Sequence, residues 1–220
     1  MTSRWHSPFG IAPPNAARAD SPIAAITRFN GALDVFWIGP DGGVGTTWAN
    51  PDVRQVNVHV KVLSEPTSIT RAQMMQSMQQ VYASVNIDAV VLSVETLALP
   101  ALNDLDVGSC TMGNITADQN RLFTNRNNAG PNDVCVYFVR STIPPLNGCG
   151  AFPAGEPSAV VTSVASPWTM GHECGHVLGL VHVSDSHRLM YGGGTWGITN
   201  PPPNLVQSET DTMNASPFAQ

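Results

Sequence analysis

Between residues 172 and 190 the chain reads His172-Glu173-Cys174-Gly175-His176-Val177-Leu178-Gly179-Leu180-Val181-His182, with Met190 eight residues further on. Few folds can use such a run. In a helix, His172 and His176 stand one turn apart on one face, so two neutral imidazoles can grip one zinc ion with Glu173 beside the open coordination position. Gly179 can take the positive φ at which a helix stops abruptly, and the turn it permits swings His182 back as a third nitrogen ligand. Three protein ligands leave a fourth position for water, the arrangement of a hydrolytic centre. The alternative reading of the same histidines is a metal site that only staples the fold.

The run H-E-x-x-H-x-x-G-x-x-H followed by methionine resembles the metzincin superfamily of zinc endopeptidases. His182-Val183-Ser184-Asp185 and Arg188-Leu189-Met190-Tyr191 look most like its matrixin branch, whereas Gly192-Gly193-Gly194 stand where matrixins have proline, so the substrate-pocket loop is expected to differ. The resemblance implies an α+β fold: a mixed twisted sheet with an active-site helix and a C-terminal helix. It also implies one catalytic Zn²⁺ on His172, His176 and His182, Glu173 as general base, Met190 supporting the site from beneath, and a polypeptide substrate. Tyr191 directly follows Met190 and so is not carried over as the tyrosine ligand that other branches place two residues after the methionine. Asp185 is read either as orienting a ligand histidine or as a turn residue, and His187 as a solvated loop residue.

Composition narrows the partners. The 220 residues are 42% hydrophobic, ample for a core, and carry a formal charge of −6 with a single lysine, Lys61. No basic stripe is left to track phosphates, which argues against nucleic acid and anionic membranes as partners. The longest apolar runs, such as Ala89 to Val94, are far short of a membrane span. The residues after Met1 show no secretory-signal pattern. Four cysteines, Cys110, Cys135, Cys149 and Cys174, are compatible with two disulfides in three connectivities; at least one is expected, and with it a secreted protein. Cys174 either bridges to Cys149 or packs. Asn114-Ile115-Thr116 is a glycosylation sequon.

Residues 1–50 differ in character from the rest. Ile23 to Phe29, Leu33 to Ile38 and Val44 to Trp48 read as short strands joined by Asn30-Gly31 and Asp41-Gly42-Gly43, a β-meander. The run LDVFWIGPDGGVGTTW resembles one repeat of bacterial β-propeller lectins that bind fucose and related sugars. That resemblance implies glycans as a second partner, through Trp37 or Trp48, with packing inside the blade as the other reading of each tryptophan. A carbohydrate-binding module is therefore the rival to the peptidase.

Residues 51–220 form the second expected domain, with Pro51 to Arg54 as linker. Gln55 to Leu63 alternates as a strand with His59, structural or solvated, on its polar face. Ser68 offers an N-cap for a helix over Ile69 to Val85 whose methionines fill core, and Asp88 to Glu95 is a second strand parallel to the first. Asp104-x-Asp106-x-Gly108 reads as an ordinary turn, with a structural Ca²⁺ loop as the alternative. Val134 to Ser141 is a third strand, ended by Ile143-Pro144-Pro145. Ala159 to Ala165 is a fourth, and the resemblance assigns it the antiparallel edge that pairs with extended substrate; an interior strand is the alternative. The active-site helix is expected to start at Ser166 or Pro167, Trp196 to be core or a substrate contact, and Asn204 to cap a closing helix through about Asn214.

Overall fold

A computed structural model describes residues 17–27, 33–49 and 53–220. The chain divides into two compact units, Met1–Val53 and Arg54–Gln220. In the first, β1 (Ile23–Thr27), β2 (Leu33–Ile38) and β3 (Val44–Ala49) form an antiparallel meander. Gly42, at φ +82°, closes the β2–β3 turn, and the Asp41 carboxylate accepts the Gly43 N–H at 2.9 Å. The Trp37 indole lies over Gly45, where a Cβ would come within 2.3 Å of the ring. Asn30-Gly31, the linker residues Pro51 and Asp52, and the Trp48 side chain lie outside the described residues.

The second unit opens with β4 (Arg54–Val62), α1 (Arg71–Ala83) and β5 (Ile87–Thr96), the two strands parallel as expected. Thr70, rather than Ser68, caps α1. Its hydroxyl accepts the Gln73 N–H while the Gln73 amide oxygen accepts the Thr70 N–H. Ser68 is occupied elsewhere, donating to the Ala165 carbonyl at 2.7 Å. The methionines Met74, Met75 and Met78 are buried core, as read.

Then follow β6 (Asp104–Asp106), α2 (Ala117–Phe123), β7 (Val134–Val139), β8 (Ser141–Ile143), β9 (Gly148–Cys149), β10 (Ser158–Thr162), α3 (Thr169–Val177) and α4 (Gln207–Ala215). The five-stranded sheet has the order β5-β4-β7-β10-β9, with β9 alone antiparallel. Every residue of β7 and β10 is buried, because both faces of the inner strands are covered. One face carries α1 and α3, tied by the Tyr82 hydroxyl donating to the Gly171 carbonyl at 2.9 Å. The polar face of β4 is covered in its turn: Lys61 donates to Glu95 at 2.6 Å and to the Asn127 carbonyl at 2.7 Å, and His59 bonds Ser93 and Asp133. His59 is therefore structural, not solvated. Among the described residues no helix is long and apolar enough to cross a membrane.

Three further expectations need correction. The strand before α3 is interior and parallel to β7; the antiparallel edge is β9, two residues that the Gly/Pro-rich stretch conceals. The active-site helix starts at Thr169, with Trp168 as its N-cap, and not at Ser166 or Pro167. Val206, not Asn204, precedes α4, and its N–H is accepted by the Glu209 carboxylate at 3.0 Å. Asp104 and Asp106 lie in β6, with the expected turn following at Gly108; Asp104 is taken up by Arg140 and Ser141 and Asp106 accepts the Gly108 N–H at 2.9 Å, so both carboxylates have protein donors.

Candidate metal centre and cleft

Helix α3 places His172 and His176 on one face, and its end is made by the backbone. Gly179 sits at φ +97°, the Leu180 N–H reaches the Gly175 carbonyl at 2.9 Å, and the Gly179 N–H reaches that of His176 at 3.0 Å. This left-handed stop turns the chain back within three residues. His182 then brings its Nε2 to 3.1 Å from that of His172 and 3.0 Å from that of His176. The expected trio is thus assembled, and among the described residues it is the one cluster of three whose ligand atoms could hold a metal ion.

Protonation follows from the backbone partners. His172 Nδ1 lies 2.7 Å from the Leu189 carbonyl and His176 Nδ1 2.9 Å from that of Leu180. A carbonyl only accepts, so each Nδ1 carries the hydrogen and each Nε2 is left with a lone pair. Burial lowers the His172 pKa to about 4 against the opposing Leu189 hydrogen bond, helped by the neighbouring histidines. His176 is lowered for the same first reason. Two fixed lone pairs, on His172 and His176, each lie about 3 Å from His182 Nε2, and three imidazole nitrogens gathered in this way fit a divalent cation with nitrogen preference.

Glu173 is buried, at 7% exposure, next to this cluster. Burial pushes its carboxyl up to about 8, opposed by a hydrogen bond from the Gly150 backbone. The edge strand makes the room: a Cβ on Gly148 would meet Glu173, and one on Gly150 would lie 2.6 Å from His176 Cβ. Sequence reasoning missed both glycines as part of the site. Their signal is the Gly-Cys-Gly triplet at 148–150, which lets a strand press against a helix.

Beneath the cluster, Met190 is fully buried with its sulfur where a Gly175 side chain would be. The chain returns there because Val183 N–H bonds the Met190 carbonyl and Gly192 N–H that of Val183, both at 2.9 Å. Arg188 pairs with Glu209 of α4 at 2.7 Å, anchoring the same loop. Asp185 accepts the His187 N–H at 2.9 Å, a turn role, and His187 is exposed. Trp196 is 58% exposed, so it is not core; its indole N–H donates to the Val164 carbonyl at 3.0 Å and tethers the 192–197 loop. The run Gly192-Gly193-Gly194 has its own cause, since the Tyr191 ring would lie 2.4 Å from a Cβ on Gly193.

A disulfide joins Cys110 to Cys149, while Cys135 and Cys174 are buried thiols. Cys174 therefore packs rather than bridges to Cys149, and burial raises its pKa. Histidines, Glu173, β9, the Tyr191–Thr195 loop and the turn Ser109–Met112 line one cleft of about 770 Å³.

No protein-family model matches the chain, and no curated protein sequence matches it. Among solved structures it is similar to an archaemetzincin from Methanopyrus kandleri, with TM-score 0.50, 14% identity, and 72% of this chain and 93% of that one covered. It is similar also to metalloproteinase-II from Bacteroides fragilis, with TM-score 0.53, 14% identity, and 89% and 76% covered. The mixed sheet with its few helices is the fold that these two structures have.

Proposed function

We propose that this chain is a zinc-dependent endopeptidase. The observation that carries the reading is the convergence of three imidazole Nε2 atoms, two of them fixed as lone-pair donors, beside a buried carboxylate in an open cleft. His172, His176 and His182 would hold the ion. Zinc in such a position supplies Lewis acidity toward a scissile carbonyl and brings the pKa of a bound water toward 7.

The chain's own groups do the rest. Glu173 takes the proton from the attacking water at a carboxylate oxygen and hands it to the departing amine. Its raised pKa suits a group that must hold the proton between these steps, and a cation on the histidines would draw that pKa back toward neutrality. Strand β9, the antiparallel edge beside Glu173, is the ladder along which an extended polypeptide would lie. Met190 supports the histidine platform by packing under Gly175, the methionine turn that the matrixin-like stretch suggests.

The Cys110–Cys149 disulfide supports a place of work outside the reducing cytoplasm. For residues 1–50 we retain the lectin-like reading, with glycan contact at the partly exposed Trp37. We keep the domain division at residues 50 and 51 on the same footing.

The test is cleavage of a mixed peptide library by wild-type chain and Glu173→Ala, each with zinc content measured. Wild type should cleave with one zinc bound and stop on chelation. The variant should lose at least about 100-fold in rate while keeping its zinc. A zinc-loaded wild type inert toward all peptides would overturn the reading.

A further inference from the structure

The turn Ser109–Met112 is built more firmly than an ordinary surface loop. The Cys110 N–H bonds the Val107 carbonyl at 2.9 Å, the Asn114 N–H bonds that of Thr111 at 3.0 Å, and the Asn114 amide donates to Ser109 Oγ at 2.9 Å. Thr116, the N-cap of α2, donates to the Asp106 carbonyl at 2.6 Å and so fixes the turn's two stems. The disulfide then fastens the turn to β9 at Cys149. From the same helix, the buried Gln119 amide donates to the Ala151 carbonyl at 3.0 Å, so α2 also braces the chain leaving β9.

This bracing holds an apolar side chain out in water. Met112 is 54% exposed and lines the cleft that contains Glu173, with Leu146, 38% exposed, beside β9 on the same cleft. Among the described lining residues, Glu173 and the histidines are the ones that can carry charge below the tyrosine range. Apolar side chains on an otherwise uncharged cleft suit an apolar group of a ligand lying in it.

We propose that the turn Ser109–Met112, clamped to the edge strand by Cys110–Cys149, is a specificity-determining wall of the cleft that presents Met112 to an uncharged apolar side chain of the polypeptide. The inference rests on the peptidase reading. The flexible, polarisable thioether accommodates several apolar shapes, so the preference is for large apolar residues as a class. A charged side chain at the same substrate position would lose its water without gaining a partner.

The experiment compares cleavage-site profiles from a peptide library for wild type, Met112→Ser and Met112→Glu, each zinc-loaded. Wild type should select large apolar residues at one fixed position relative to the cut bond. Met112→Ser should lower kcat/KM for those peptides about tenfold, through KM, with melting temperature and zinc content unchanged. Met112→Glu should move the preference at that position toward lysine and arginine. Identical profiles in all three proteins would overturn the proposal while leaving the peptidase reading standing. Absence of cleavage by the wild type would instead overturn the peptidase reading, and this inference with it.

Discussion

Gly148 and Glu173 leave no room for a side chain between them: a Cβ at position 148 would lie 2.6 Å from Cγ of Glu173, 2.7 Å from its Oε1, and 2.7 Å from the Val160 carbonyl. Glu173 must move to relieve the first two contacts, and the edge strand β9 must shift to relieve the third, because the carbonyl belongs to the main chain of β10. Gly148→Ala should cut peptidase activity by about 100-fold, since a shift near 1 Å in a reacting group costs that much. Zinc content should stay at one per chain, because the atoms nearest the new Cβ belong to Glu173 and Val160 and not to a histidine. Activity and metal analysis on one preparation check both halves.

Gly175 poses a different trade. Alanine there would gain about 1 kcal/mol of helix propensity. Its Cβ would meet Met190 Sδ at 2.7 Å in a site with no exposure, an overpacking worth about 1–3 kcal/mol. Packing should win, and Gly175→Ala should melt at a lower temperature than wild type, read by thermal denaturation of the metal-free proteins.

The two glycines show where reading a sequence stops. The histidine spacing, the Gly179 stop and the parallel strand pair around α1 are periodic or local, and each was legible. Strand β9 is two residues long in a stretch dominated by glycine and proline, so no alternation could reveal it, and the edge role was assigned to β10 instead. His59 and Lys61 alternate with valines as a solvated face would. What buries them is residues 97–133 folding back with Asp133 and Asn127, a tertiary event invisible in the strand itself.

Acid should weaken the fold through Asp133. Burial pushes this carboxyl up, but the Gly130 N–H, the Asn57 amide and His59 outweigh it and hold it below the usual carboxylate range. A depressed folded-state pKa stabilises above the unfolded value, about 4, and that contribution disappears as pH falls through the folded value. Asp133→Asn should therefore be less stable than wild type near neutral pH, and the gap should narrow below about pH 4. Melting curves of the two proteins across that range check the sign.

The disulfide closes a sequence separation of 39 residues. Its reduction should cost about 2–4 kcal/mol by releasing that loop in the unfolded chain. Denaturant titration of zinc-loaded protein with and without a non-chelating reductant measures it. The buried thiols Cys135 and Cys174 should react with a thiol probe only after unfolding.

On the proposed reading His172, His176 and His182 bind one ion through Nε2 and leave a coordination position open. X-ray absorption at the zinc edge of the purified chain tests it directly. Three imidazole nitrogens and one oxygen are expected at about 2.0–2.1 Å, with the nitrogen count falling in His182→Ala. A shell containing sulfur, four protein nitrogens, or no zinc at all would contradict it.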